Sequence, residues 1–196
     1  KIGDNLATAL TTPFLLDVGF TKTVIGSTVK LVNFWSMIIG SFLGGVFIFK
    51  IGINRSLWFF GIVQMASIFG FALLSESGPV LPILVGVLAF EYFGVGLGAA
   101  ALLAYMFKNT NTNFTATQFA AFSSLVALPR TFANATTGFL IEGISSSDEL
   151  LYSLFGAVAG MGYTKFFIFC GFTAIPGMLL LYWVAPWNGD NDVATN

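Results

Sequence analysis

Four ionisable side chains, Asp4, Lys30, Glu91 and Arg130, fall inside long apolar stretches of this chain. A charge at the centre of a bilayer costs about 2.5–3.5 kcal/mol on insertion scales, so such groups mark substrate pathways, ion sites or proton relays. Carboxylates at that depth, Asp4 and Glu91, can exchange protons as their surroundings wet and dry. Arg130 stays ionised when partly desolvated and offers a planar fork that grips an anion in two places. Lys30 lies about two turns from one end of its run, close enough to the surface to snorkel. Glu91 and Arg130 could also form a buried pair with only an architectural role.

The composition fixes the solvent around these groups. Of 196 residues, 56% are hydrophobic, 16% aromatic and only 9% charged, with mean hydropathy +0.86. Soluble domains carry about 25% charged residues. So little charge cannot cover so much apolar surface in water, and the expected class is an all-α membrane protein. The net charge of −1 points to no nucleic-acid partner. The single cysteine, Cys170, excludes an internal disulfide. Histidine is absent, which removes histidine-based nucleophile pairs, histidine metal sites and the usual proton shuttle. No enzyme activity, cofactor or metal is expected, and an intramembrane hydrolase has no plausible constellation here.

Five apolar runs, 24–49, 56–74, 80–107, 115–141 and 166–186, reach the ~20 residues that cross a bilayer. The turn-rich stretches DVGFTKT, KIGINRS, SESGP, KNTNTN and ISSSDE separate them. Residues 1–16 form a sixth run, shorter than a span and without signal-peptide features; it reads as the back end of a spanning helix. The expected organisation is a six-helix bundle over 1–187 with its first helix truncated, then a polar tail over 188–196. Within 143–162, Ser146 and Glu149 fit a capping box before Leu150, Leu151, Leu154, Phe155 and Val158 at helical spacing. A short helix on the membrane surface is preferred there over a re-entrant segment. Lys50, Arg55 and Lys108 place the KIGINRS and KNTNTN loops in the cytoplasm, together with the C-terminus and its Tyr182, Trp183 and Trp187 anchor.

The charges repeat along the six runs as acid, base, none, acid, base, none. Such three-helix repetition occurs in secondary transporters. Helical spacing adds stripes of polar or small residues: Asp4, Thr8 and Thr11; Lys30, Asn33, Met37, Ser41 and Gly44; Glu91, Gly94, Gly98, Ala101 and Tyr105; Ser123, Ala127, Arg130, Asn134 and Thr137. These faces turn inward, either to a cavity or to one another in close helix packing. Pro129 deletes a backbone donor one turn after Leu125, giving a hinge beside a wet cavity or a static bend.

Three stretches, KIGDNLATALTTPFLLDVGFTKTVIG, FTATQFAAFSSLVALPRT and FFIFCGFTAIPGMLLL, with Phe90–Glu91, resemble the AmpG-type muropeptide permeases of the major facilitator superfamily. The similarity spans nearly the whole chain and matches the C-terminal six helices of a twelve-helix transporter. GGVFIFKIGINR is similar to the superfamily's loop between the second and third helices of each half, with Phe49 where an acid is usual. Asn134–Ala135 stands where the family often has Gly-Pro, and the 143–162 connection is longer than usual.

The resemblance implies a multi-pass protein of the bacterial inner membrane that imports anhydro-muropeptides with protons during cell-wall recycling. It also implies a six-helix N-terminal half as partner. Acetyl-coenzyme A or another solute is the alternative substrate, and a non-transporting anchor or split-gene product the alternative role. In this superfamily the first, second, fourth and fifth helices of each half face the central cavity; those are the runs that carry charge here. For such a substrate Arg130 is the carboxylate clamp, assisted by Lys30. Asn33, Gln118 and Asn134 offer sugar hydrogen bonds, Trp35 or Tyr92 a stacking face, Glu91 and Asp4 the proton sites, and Pro129 the hinge.

Overall fold

The computed structural model describes residues 2–110, 115–142 and 162–187. The expected surface helix within 143–162 (apart from Gly162) and the polar tail over 188–196 lie outside the described residues. No strand occurs among the described residues. The chain runs α1 (Ile2–Ala9), α2 (Thr11–Val18), α3 (Lys22–Val24), a π-helical turn (Ile25–Val29), α4 (Lys30–Ile51), α5 (Ile53–Ser77), α6 (Leu81–Lys108), α7 (Thr115–Glu142) and α8 (Tyr163–Val184).

The first run is not one helix. Pro13 has no N–H for the Ala9 carbonyl and its ring crowds that position, so α1 ends at Ala9. Helical bonding resumes from Phe14 N–H to Leu10 O at 2.9 Å. α2 then stops at Gly19, whose φ of 110° is open to glycine without strain. The Gly19 and Phe20 N–H groups bond back to Leu16 O at 3.1 Å and Leu15 O at 3.0 Å, closing a Schellman motif with Phe20 and Leu15 both buried. The next helix starts under a Thr21 cap that accepts from Val24 N–H. It continues through the π turn for 30 residues, Lys22–Ile51.

Four helices, Lys22–Ile51, α5, α6 and α8, are long and apolar enough to cross a membrane. At 28 residues, α7 has the length. Its Thr115, Thr117, Gln118, Ser123, Ser124, Arg130, Thr131 and Asn134 make it more polar than those four, which is why apolarity alone does not single it out.

The tightest contact joins α4 to α6. Gly40 and Gly44 on α4 meet Phe93, Leu97 and Ala100 on α6, and Ser41 Oγ donates to Gly96 O at 3.4 Å. A Cβ at Gly96 would lie 2.5 Å from Met37 O and 2.8 Å from Ser41 N. Both are backbone atoms that cannot rotate aside. Gly96→Ala is therefore expected to force α4 and α6 apart and cost about 1–3 kcal/mol. A lowered thermal midpoint of the detergent-solubilised protein checks this; an unchanged midpoint contradicts the packing.

Two polar fastenings close the ends of the bundle. Asn54 Nδ2, Trp58 Nε1 and Tyr105 Oη donate to the carbonyls of Pro186, Ala185 and Val184 at 3.1, 3.0 and 3.1 Å. Arg55 Nε donates to Trp187 O at 3.4 Å, with its guanidinium 5.8 Å from the Trp187 ring. Carbonyls left open by the end of α8 thus find donors from α5 and α6. They also place the KIGINRS loop and residues 184–187 at one end, as the loop parity required. At the other end Tyr163 Oη donates to Asp17 Oδ2 at 2.5 Å, and Ser75 and Thr164 share a 2.7 Å hydrogen bond. Beneath them Phe14, Phe71 and Phe167 pack as a ring cluster with centroids 4.8–6.2 Å apart.

The outside of the bundle is apolar. Leu31, Phe34, Ile38, Ile39 and Phe42 on α4, and Phe172, Leu179, Tyr182 and Trp183 on α8, are exposed. Faces this apolar suit lipid or another helical layer rather than water.

Candidate functional site

Tyr92 is half-buried on α6, next to Glu91. Glu91, Asp4, Arg130 and, from α4, Asn33 lie within electrostatic reach of it. Asn33 Oδ1 has no donor among the described residues. The group draws one or more members from α1, α4, α6 and α7, the four helices that the charge pattern singled out.

Each member is held by local geometry. Asp4 is 7% exposed on α1, where Thr8 Oγ1 donates to its carbonyl at 2.8 Å. Gly3, with no side chain, lets α1 lie against the Cys170 carbonyl of α8. Glu91 is 0% exposed, in hydrogen-bond contact with Ser67 Oγ of α5 through Oε2. One turn on, a Cβ at Gly94 would lie 3.5 Å from the Gln64 Cα, so the bare backbone of α6 lets α5 approach at this level. The Glu91–Gly94–Gly98–Ala101 stripe serves both readings: Gly94 packs against α5, while Gly98 and Ala101 line a cavity. The α4 stripe packs likewise, since Met37, Ser41 and Gly44 all meet α6.

α7 behaves differently. Ser123, Ala127, Arg130 and Asn134 are exposed, and only Ala133 of the neighbouring positions is buried, in the core that also holds Leu6 and Ala7 of α1. Glu91 and Arg130 are therefore not sealed together in a dry pair: the acid is enclosed and the base is open. Pro129 leaves α7 continuous from Thr115 to Glu142 and lines a cleft of about 290 Å³ with Leu102, Tyr105, Phe122 and Leu125. A soft point beside free space suits either reading of the proline.

Other expected residues stand outside the Tyr92 group. Lys30 and Asn134 are exposed, and Gln118 is half-buried. Trp35 is 59% exposed and meets the Phe34 ring edge-on at 5.5 Å. Phe49, at the position where the loop motif usually has an acid, is 97% exposed.

Two residues of α5 outside the expected site set, Ser67 and Gln64, stand beside it. The third run was set aside for lack of charge, yet both lie on one face, three residues apart, and both are buried. Gln64 Nε2 has no acceptor among the described residues. It lines a cavity of about 230 Å³ with Asp4, Gly61, Gly98 and Gly177. Among the described residues no group of three His, Cys, Asp or Glu could hold a metal ion.

Long apolar helices with outward apolar and aromatic faces define an all-α, multi-pass membrane protein. No family profile matches the chain. It is 43% identical over 199 residues to an uncharacterized protein of Haemophilus influenzae, covering 98% of this chain and 43% of that one. It is 35% identical over 162 residues to the anhydromuropeptide permease of Escherichia coli K12, covering 82% of this chain and 33% of the permease. A Rickettsia felis protein named as an AmpG transporter is 29% identical over 184 residues, 94% of this chain and 40% of that protein. The chain belongs to the AmpG-type permease family. It spans less than half the length of these relatives.

Proposed function

We propose that this chain forms the C-terminal half of a proton-driven importer that carries anhydro-muropeptides across the inner membrane for cell-wall recycling. The observation that carries this reading is the burial of two carboxylates, Asp4 and Glu91, within apolar helices, with the Arg130 guanidinium left open on α7. An anion grip, hydrogen-bonding amides and buried carboxylates are the groups a co-transporter of an acidic sugar-peptide needs. The identity with the Escherichia coli permease supports the substrate class.

In this reading Arg130 binds a substrate carboxylate bidentately, and Lys30 adds a point charge at the margin. Asn33, Gln118 and Asn134 bond to the sugar and peptide, and Tyr92 or Trp35 stacks on the ring. Glu91 and Asp4 carry the proton, and Pro129 lets α7 bend as access alternates. Residues 1–187 make one six-helix unit, with the 188–196 tail following it. The partner half covers the exposed faces of α4 and α7, which encloses Arg130 and lowers the dielectric around it.

Competition during uptake tests the substrate. Unlabelled anhydro-muropeptide is expected to suppress uptake of the labelled compound by full-length protein in liposomes, while acetyl-coenzyme A does not. Suppression by acetyl-coenzyme A alone would move the protein to a different substrate, and no uptake of either would favour an anchoring role.

A further inference from the structure

Ser67 and Glu91 form a buried side chain–side chain hydrogen bond whose hydrogens can be counted. Ser67 Oγ lies 2.8 Å from the Gln64 carbonyl and also in hydrogen-bond contact with Glu91 Oε2. A hydroxyl has one hydrogen, and a carbonyl can only accept. If the serine hydrogen goes to the carbonyl, the hydrogen in the second contact must come from Glu91. Both contacts are then full hydrogen bonds only when Glu91 is a carboxylic acid. Burial argues the same way, since both residues are 0% exposed and an ionised carboxylate taken out of water must be compensated or neutralised.

Each long helix packed against α6 carries charged residues. α4 carries Lys30 and Lys50, α5 Arg55 and Glu76, and α7 Arg130 and Glu142. Lys30, Lys50 and Glu76 are exposed near helix ends, and Arg55 is engaged with Trp187. The groups around Tyr92, next to Glu91 on α6, are Asp4 and Arg130. Asp4 is a second acid and Arg130 is exposed, and Ser67 brings a hydroxyl from α5 onto Glu91 Oε2.

We propose that Glu91 is held in this conformation as a neutral acid donating to Ser67, and that Ser67 is the positioning residue for proton loading. The inference rests on the reading of Glu91 as a proton site. When the site opens, the Glu91 O–H bond breaks and the proton passes to water, leaving a carboxylate. The Ser67 hydroxyl then rotates, giving its hydrogen to Glu91 instead of to the Gln64 carbonyl. One serine thereby satisfies both protonation states without moving a helix, and α5, the uncharged third run, becomes part of the proton site.

Infrared difference spectroscopy of the full-length protein in lipid, taken across a pH step, reads this directly. A carboxylic C=O band is expected in the wild type and should vanish in Glu91→Gln. It should move to higher frequency in Ser67→Ala, where the hydrogen-bond partner is gone, and return in Ser67→Thr. A merely structural serine would leave the frequency unmoved. Absence of a Glu91-dependent band, or an unmoved band in Ser67→Ala, overturns the proposal. Failure of the broader reading looks different: uptake would ignore the pH gradient while the band and its Ser67 dependence persist.

Discussion

Arg130→Ala in the full-length protein is expected to weaken substrate binding by roughly 100-fold or more, about 3 kcal/mol, because a charge-assisted pair loses one partner. The side chain is exposed on α7 in this chain, so its removal leaves no cavity and no stranded partner in the core. Thermal stability should therefore hardly change. Arg130→Lys keeps the charge but loses the fork, and affinity should fall between wild type and alanine. Equilibrium binding of labelled anhydro-muropeptide to the solubilised protein, with a melting curve beside it, separates the two effects. Wild-type affinity in Arg130→Ala rejects the clamp.

Glu91→Gln is expected to uncouple the protein rather than unfold it. Glutamine has the size of glutamic acid, and its amide can donate to Ser67 as the acid does, so the contact with α5 survives. Glutamine cannot release a proton. Accumulation of substrate against a gradient should fall to the level reached without a pH difference, while exchange of labelled for unlabelled substrate continues. Asp4→Asn sorts the two acids by the same measurement. Loss of both accumulation and exchange would give Glu91 a role in binding or folding instead; full accumulation would remove it from the proton path.

The helices were legible because apolar length and turn residues are one-dimensional signals. The four charged runs could be marked from spacing alone, and Asp4, Glu91 and Arg130 lie within electrostatic reach of Tyr92. Other features depend on what lies across a helix interface. Gly94 and Gly98 look the same in sequence, yet Gly94 packs against Gln64 of α5 while Gly98 lines a cavity. Ser67 was invisible for a related reason. A serine in an apolar run satisfies itself by back-bonding to its own helix, and nothing local announces that Glu91 lies opposite. The break at Ala9 was legible in principle, since Pro13 stood in the run.

The account stands on protons moving with the substrate past Glu91, and that movement can be watched. Full-length protein is placed in weakly buffered liposomes with a pH-sensitive dye inside, and anhydro-muropeptide is added outside without an imposed gradient. The account expects the interior to acidify as substrate enters, and expects no acidification with Glu91→Gln even where exchange is retained. Substrate entry by the wild type with no change of internal pH would contradict it.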